Sequence, residues 1–325
     1  MHPGRWTGNV SAPLSVSVCM VTSRLQSLVG ADFLDLAQLQ RQQLERILDL
    51  AAAIKRGRWS GTPLAGKSLA LLFQKPSIRT RVSFEVAINR LGGRAVTLQD
   101  DEIGIGRRET AADVARVLDR YVDGIVARLF HHADLLALAN GCRGPVINAL
   151  TNASHPCQVL ADLMTMREAV GRLDASTKVV FVGDGNNVVQ SLMEAATLLR
   201  FQLVVICPPG YRPRPESEAA APAVQVSADL SNVSGASIVY TDVWTSMGQE
   251  SEAGHRRREF LEYQVDEQVM QLAPQAIFMH CLPAHRGEEV SEAVLEGPQS
   301  RVFDQAENRL HVQMALLALL FQAEP

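Results

Sequence analysis

Along this chain, short unbroken apolar runs alternate with longer segments in which apolar residues recur every three or four positions. The runs at 69–73, 95–98, 124–127 and 145–150 have the length and composition of buried strands. Between them, 32–55, 82–91, 110–121 and 135–139 carry a helical period. The first of these places Leu36, Leu39, Leu44, Ile47, Leu48 and Ala51 mostly on one face, and the second stops at Gly92-Gly93. After a turn at 151–158, a helix extends to about residue 169. The composition turns polar over 171–177, and a second series follows. It has strands at 178–182, 203–207, 237–241 and 276–280, a helix at 188–199, and a closing helix at 306–321 with Leu310, Met314, Leu317 and Leu320 in step. Strands alternating with helices at this spacing predict an α/β fold in two series, each built on a largely parallel sheet.

The chain has 325 residues, enough for two domains with well-filled cores. A net charge of -4 argues against a general nucleic-acid binder, and no apolar run reaches the roughly 18 residues of a membrane span, so a soluble protein is expected. Five scattered cysteines with no C-x-x-C pair suit a reducing cytoplasm better than a disulfide framework. Residues 1–27 lack acidic side chains and helical period, and read as a disordered extension. That stretch has no basic start of a secretory signal, resembles an organelle-targeting peptide only weakly, and contains Met20 as an alternative start.

Candidate chemistry gathers where strands end, which is where open α/β sheets bind ligands. Pro76 and Ser77 mark a strand-to-helix turn whose free N–H groups and dipole favour an oxyanion. Ser77, Thr80, Arg79 and Arg81 offer donors beside it. Read locally, the same residues also describe an ordinary capped helix with two surface arginines. Arg128 closes the third run, and His155 and Gln158 lie three apart at the next helix start, able to face the same crevice. Gly183 and Gly185 suggest a dinucleotide fingerprint, but the third glycine is absent and Asp184 would repel a pyrophosphate; Asn186-Asn187 suits an amino ligand better. Asp242, followed by Ser246 and a polar loop through Gly254 to Arg258, reads as an ammonium site with a flexible lid.

Taken together, these stretches resemble the ornithine carbamoyltransferases. The matching pieces are 77–81, 120–128, 155–158, 183–187, 242–249, 280–283 and 307–309, in the family's order, and the likeness runs from about Leu28 to the end. The resemblance implies two parallel-sheet α/β domains, the second Rossmann-like, linked by two helices. Residues 28–153 with 306–325 would hold carbamoyl phosphate and 154–305 would hold L-ornithine. It further implies transfer of the carbamoyl group to the δ-amine of ornithine, giving L-citrulline and phosphate in arginine metabolism, with no metal or cofactor, in a homotrimer or a multiple of trimers.

By position, Ser77, Ile78, Arg79, Thr80, Arg128, His155, Gln158, Cys281, Leu282 and Arg309 are expected around carbamoyl phosphate. Asn187, Asp242, Ser246 and Met247 are expected around ornithine, and Arg128, His155, Gln158 and Cys281 to act in catalysis. Cys281 is expected to position the amine rather than serve as base or covalent nucleophile. Three positions depart from the family pattern. Ile78 stands where a hydroxyl residue is usual, and Gly104 where many relatives have a glutamine that crosses the trimer interface. Met314 replaces a common lysine. Three other functions fit parts of the pattern: transfer to another amine such as putrescine, a catalytically weak binding subunit, and a metal hydrolase using His280, Cys281 and His285.

Overall fold

The computed structural model describes residues 27–221 and 223–322; the reading of residues 1–26 as an extension lies outside them. In chain order the first part contains α1 (Arg41–Lys55), β1 (Ser68–Phe73), α2 (Ile78–Arg90), β2 (Arg94–Gln99), α3 (Asp100–Ile103), α4 (Ala111–Leu118), β3 (Gly124–Arg128), α5 (His132–Gly141) and β4 (Val146–Leu150). Then come α6 (Pro156–Val170), β5 (Lys178–Val182), α7 (Asn187–Leu199), β6 (Gln202–Ile206), α8 (Pro215–Ala220), β7 (Gln225–Ser227), β8 (Ile238–Thr241), α9 (Ala253–Phe260), α10 (Glu267–Gln271), β9 (Ile277–His280), α11 (Glu292–Leu295) and α12 (Val302–Phe321).

Two parallel sheets result, ordered β2-β1-β3-β4 and β7-β6-β5-β8-β9. Strands covered on both faces need apolar side chains at successive positions, and Leu69, Ala70, Leu71 and Leu72 are all fully buried. In each sheet the order reverses beside the first strand formed, β1 or β5, so the carboxyl ends of β1 and β3, and of β5 and β8, open crevices.

One face of each sheet joins a single apolar core through α6 and α12. Leu160, Leu163, Leu316 and Leu317 lie in it together with Phe84, Ile147 and Phe181. α12 packs on α6, α1 and α2, so the end of the chain returns to the first sheet. Separate clusters cover the other faces, one around Val114, Leu135 and Leu138, the other around Val269, Phe278 and Val294.

Several boundaries differ from the sequence reading. The helix expected from residue 32 starts at Arg41, because Leu36–Gln38 forms its own single turn and Leu39 and Gln40 are extended. The acidic and glycine-bearing stretch 99–108, which shows no apolar period, contains α3. Ile103 and Ile105 anchor it in the core, and Gly104 at φ +65° ends the helix. α12 starts four residues earlier than its apolar period suggests. The polar segment 254–258, read as a flexible loop, is helix α9.

Candidate active site

Every residue singled out as catalytic or substrate-binding lines one cleft of about 1070 Å³ between the carboxyl ends of the two sheets. Ser77 is the N-cap of α2. Its Oγ accepts from the Thr80 N–H at 3.3 Å and donates to Thr80 Oγ1 at 3.1 Å. The cap forms because Ser77 is extended at the helix start, which sets its Oγ over the first free N–H groups. Ile78 is 74 % exposed at the cleft rim, and Arg79 faces inward, whereas Arg81 turns away to pair with Glu85.

Thr80 is fully buried and accepts from Arg309 Nη2 at 3.0 Å, across the whole first part of the fold. Arg309 Nη1 in turn donates to Gln158 Oε1 at 2.7 Å, and Gln158 Nε2 donates to Asp162 at 2.8 Å. Both ends of the Gln158 amide are therefore engaged, and its chief contact is with Arg309. Arg128, at the end of β3, is buried, and so is His155 at the start of α6. His155 is held there by its own N–H, which donates to Ser191 Oγ at 3.0 Å.

The electrostatics of this end are those of an anion hole. Burial, then Arg309 and Arg79, push the Arg128 guanidinium below its ordinary value; burial does the same to Arg79 and Arg309. Arginine keeps its proton even so, and the crowding is stored as attraction for an anion. His155 is pushed well below 6.5 by burial and by Arg309, Arg128 and Lys75, and is a neutral imidazole. Arg128 Nε, Arg309 Nε and His155 Nδ1 are buried without partners among the described residues. Buried polar atoms are rarely left so unless something else supplies the bond.

Lys75 is a cleft residue that the sequence pattern does not single out. It is buried, donates to Asn152 Oδ1 and lies 4.7 Å over the Phe130 ring. Burial and Arg128 push its ammonium down to about 8, against the pull of Glu250. Only its place between a buried strand and the Ser77 turn signalled it.

The facing wall is acidic and amide-rich. Asp242, one residue past β8, accepts from Asn186 Nδ2 at 2.8 Å, from the Val243 N–H at 2.8 Å and from Cys281 Sγ at 2.8 Å. Burial first and then Asp242 push the Cys281 thiol far above 9, so it sits as a hydrogen-bond donor, not a thiolate nucleophile. Asn186 caps α7, whereas Asn187 opens the helix and donates to the Thr151 carbonyl at 2.7 Å, tying the two halves together. Gly185 permits the turn because any side chain there would overlap the backbone of Arg212 and Pro213. Ser246 and Met247 lie on the rim, with Met247 42 % exposed, and Leu282 adopts φ +57° beside Cys281.

Asp184, expected to repel phosphate, has a different task. Its carboxylate takes Arg256 Nη1 at 2.8 Å, and Arg256 also donates to the Trp244 carbonyl, which pins α9 behind the Asp242 loop. Asp242, His280 and Cys281 bring possible metal-ligand atoms within 4.8 Å of one another. The His280 ring is nonetheless fully used: Nδ1 accepts from the Leu282 N–H at 2.9 Å, and Nε2 faces Glu289 at 3.2 Å. His285 groups instead with Glu288 and Glu289, so His280, Cys281 and His285 do not converge as a zinc triad.

An oxyanion hole on one wall thus faces a carboxylate and an amide on the other. Comparison with known proteins agrees with this division. Residues 31–168 match the family model described as aspartate/ornithine carbamoyltransferase, carbamoyl-P binding domain, and 175–320 match the corresponding Asp/Orn binding domain. The chain is 48% identical to the ornithine carbamoyltransferase of Symbiobacterium thermophilum, over 91% of this chain and 99% of that protein. The solved ornithine carbamoyltransferase of Pyrococcus furiosus superposes with a TM-score of 0.86 at 47% identity, covering 91% of this chain and 98% of that one. That of Thermus thermophilus gives 0.83 at 46% identity, with 90% and 99% covered. A carbamoyl-phosphate half and an amino-acid half, matched over nearly all the described residues, place this chain in the aspartate/ornithine carbamoyltransferase family.

Proposed function

We propose that this chain is an ornithine carbamoyltransferase, moving the carbamoyl group of carbamoyl phosphate to the δ-amine of L-ornithine to yield L-citrulline and phosphate. The observation that carries the reading is the opposition, across one cleft, of the Ser77, Arg79 and Arg128 anion hole and the Asp242 carboxylate. Residues 28–153 with 306–325 form the carbamoyl-phosphate side and 154–305 the ornithine side. The return of α12 onto α1 and α2 supports the first of these.

In this reading the phosphate rests on the α2 N-terminus, Ser77, the Ile78 N–H, Arg79 and Arg128. The missing hydroxyl at Ile78 leaves that N–H in place. Neutral His155, Arg309 and Thr80 surround the carbamoyl oxygen, and Leu282 receives the carbamoyl nitrogen through its backbone carbonyl. Gln158 acts mainly by aiming Arg309. Asp242 holds the α-ammonium of ornithine, the Asn187 amide and Ser246 hold its carboxylate, and Met247 adds a backbone contact.

The δ-amine must attack uncharged, against an ordinary pKa near 10.4. The cations at the reacting end and exclusion of water both favour that form. Its nitrogen bonds to the carbamoyl carbon, and the oxyanion of the tetrahedral intermediate is met by Arg128, Arg309 and His155. The carbon–oxygen bond to phosphate then breaks, and the departing phosphate takes the amine proton. One such donor lowers the barrier by about 3–4 kcal/mol.

No helix among the described residues is long and apolar enough to cross a membrane, and Cys142, Cys157, Cys207 and Cys281 are free thiols. The free thiols suit a reducing compartment and support a cytoplasmic place, and the role in arginine metabolism follows from the assigned reaction. Exposed Ile78, Val82 and Val96 beside edge strand β2 support association, read as a homotrimer or a multiple of trimers. Citrulline formation over a panel of ornithine, putrescine, lysine and aspartate tests the substrate. Ornithine is expected to exceed the rest by at least a hundredfold in kcat/KM, and equal turnover of putrescine would overturn the assignment.

A further inference from the structure

Asp162 lies on α6, one turn beyond Gln158, with no exposed surface and no contact with the cleft. Three side chains from three elements converge on it. Gln158 Nε2 and Gln305 Nε2 both donate to Oδ1, at 2.8 and 2.7 Å, and Tyr240 Oη donates to Oδ2 at 3.0 Å. The far ends of the two amides are equally committed. Gln158 Oε1 accepts from Arg309, whose other nitrogen reaches Thr80, and Gln305 Oε1 accepts from the His280 N–H at 3.0 Å, the residue before Cys281.

A carboxamide has a donor end and an acceptor end and can turn over. Here donor-only groups, a guanidinium and a peptide N–H, occupy one side of each amide. A single shared acceptor oxygen occupies the other. That oxygen fixes both amides at once, one aimed at the carbamoyl side of the cleft and the other holding the strand end that carries Cys281. It accepts in the same way whether the carboxyl is ionised or carries its proton on Oδ2. Asp162 is also the nearby acidic charge facing Arg309, which is otherwise crowded by Arg79.

We propose that Asp162 is a positioning residue of the transfer reaction: it touches neither substrate, yet its Oδ1 sets the direction of the Gln158 and Gln305 amides and through them the aim of Arg309 and the seating of Cys281. The inference rests on the ornithine carbamoyltransferase reading. A merely structural carboxyl would be replaced at a cost in stability that tracks the loss of every function alike. An orienting oxygen is instead restored by any residue that returns an acceptor to the same point.

The test compares Asp162→Ala with Asp162→Asn, which is isosteric and keeps one acceptor oxygen. Steady-state citrulline formation and the Kd for inorganic phosphate are measured on each. Asp162→Ala is expected to lower kcat at least a hundredfold while the phosphate Kd moves less than threefold, and Asp162→Asn to recover at least tenfold of the lost kcat. The proposal is overturned if Asp162→Ala keeps kcat within threefold, if phosphate affinity falls in step with kcat, or if Asp162→Asn is no better than alanine. Should Asp162→Ala fail to fold, Gln305→Met isolates one arm. A KM for ornithine raised at least fivefold with phosphate affinity unchanged supports the relay, and an unchanged KM sinks it. Absence of citrulline from the wild-type protein would overturn the assigned activity itself, and this inference with it, a result distinct from all of these.

Discussion

At the scale of single residues, the site depends on protonation states that burial sets. Cys281 keeps its proton because a thiolate would be both desolvated and pressed against Asp242. A hydroxyl can donate the same bond, so Cys281→Ser is expected to lose no more than about tenfold in kcat/KM, and Cys281→Ala more, chiefly in the KM for ornithine. Rapid alkylation of Cys281 by iodoacetamide at pH 7 would contradict the assignment. Lys75 behaves in the opposite sense. An anion binds the protonated ammonium, whose value in the free protein lies at about 8. Affinity for phosphate is therefore complete below that pH and declines above it. Isothermal titration from pH 8 to 10, where phosphate stays a dianion, should show a several-fold rise in Kd that Lys75→Met flattens. Ser77, Arg79 and Asp242 were legible in the sequence because strand ends and helix starts announce them. Lys75 and Asp162 were not, since nothing local says that a lysine or an aspartate will be buried.

At the scale of elements, long apolar periods were readable and short pieces were not. α7 and every strand except β7 follow from their own side chains. β7, α8, α10 and α11 span three to six residues, too few for a period to show. α9 is the instructive case, because a run of three arginines looks like solvated loop. Arg256 is instead drawn inward by Asp184, 72 residues away, a pairing that no local pattern encodes. Removing one partner leaves the other buried and alone, which costs about 3–5 kcal/mol. Arg256→Leu is accordingly expected to lower the melting temperature by several degrees and to raise the KM for ornithine, because the Asp242 loop loses its backing. A variant with unchanged melting temperature and KM would show that α9 is held by its apolar contacts with Trp244 and Tyr211 alone.

At the scale of the whole molecule, two sheets that point their carboxyl ends at one another produce a cleft with a cationic wall and an acidic wall. The two-series pattern of strands and helices foretold both sheets. The contacts that join the walls, such as Arg309 to Thr80 across 229 positions, come only from the fold. The neutral His155 that this arrangement enforces has a cost on the acid side. Below about pH 6.5 the unfolded chain takes up a proton that the native site refuses, so stability falls as the pH drops.

The most direct measurement is a crystal structure with a bisubstrate mimic in which a phosphonoacetyl group is joined to the δ-nitrogen of ornithine. The phosphonate is predicted on Ser77, Arg79 and Arg128, the linking carbonyl beside His155 and Arg309, and the α-ammonium on Asp242. A mimic bound in the reverse direction, or anywhere outside the cleft between Arg79 and Asp242, would contradict the account.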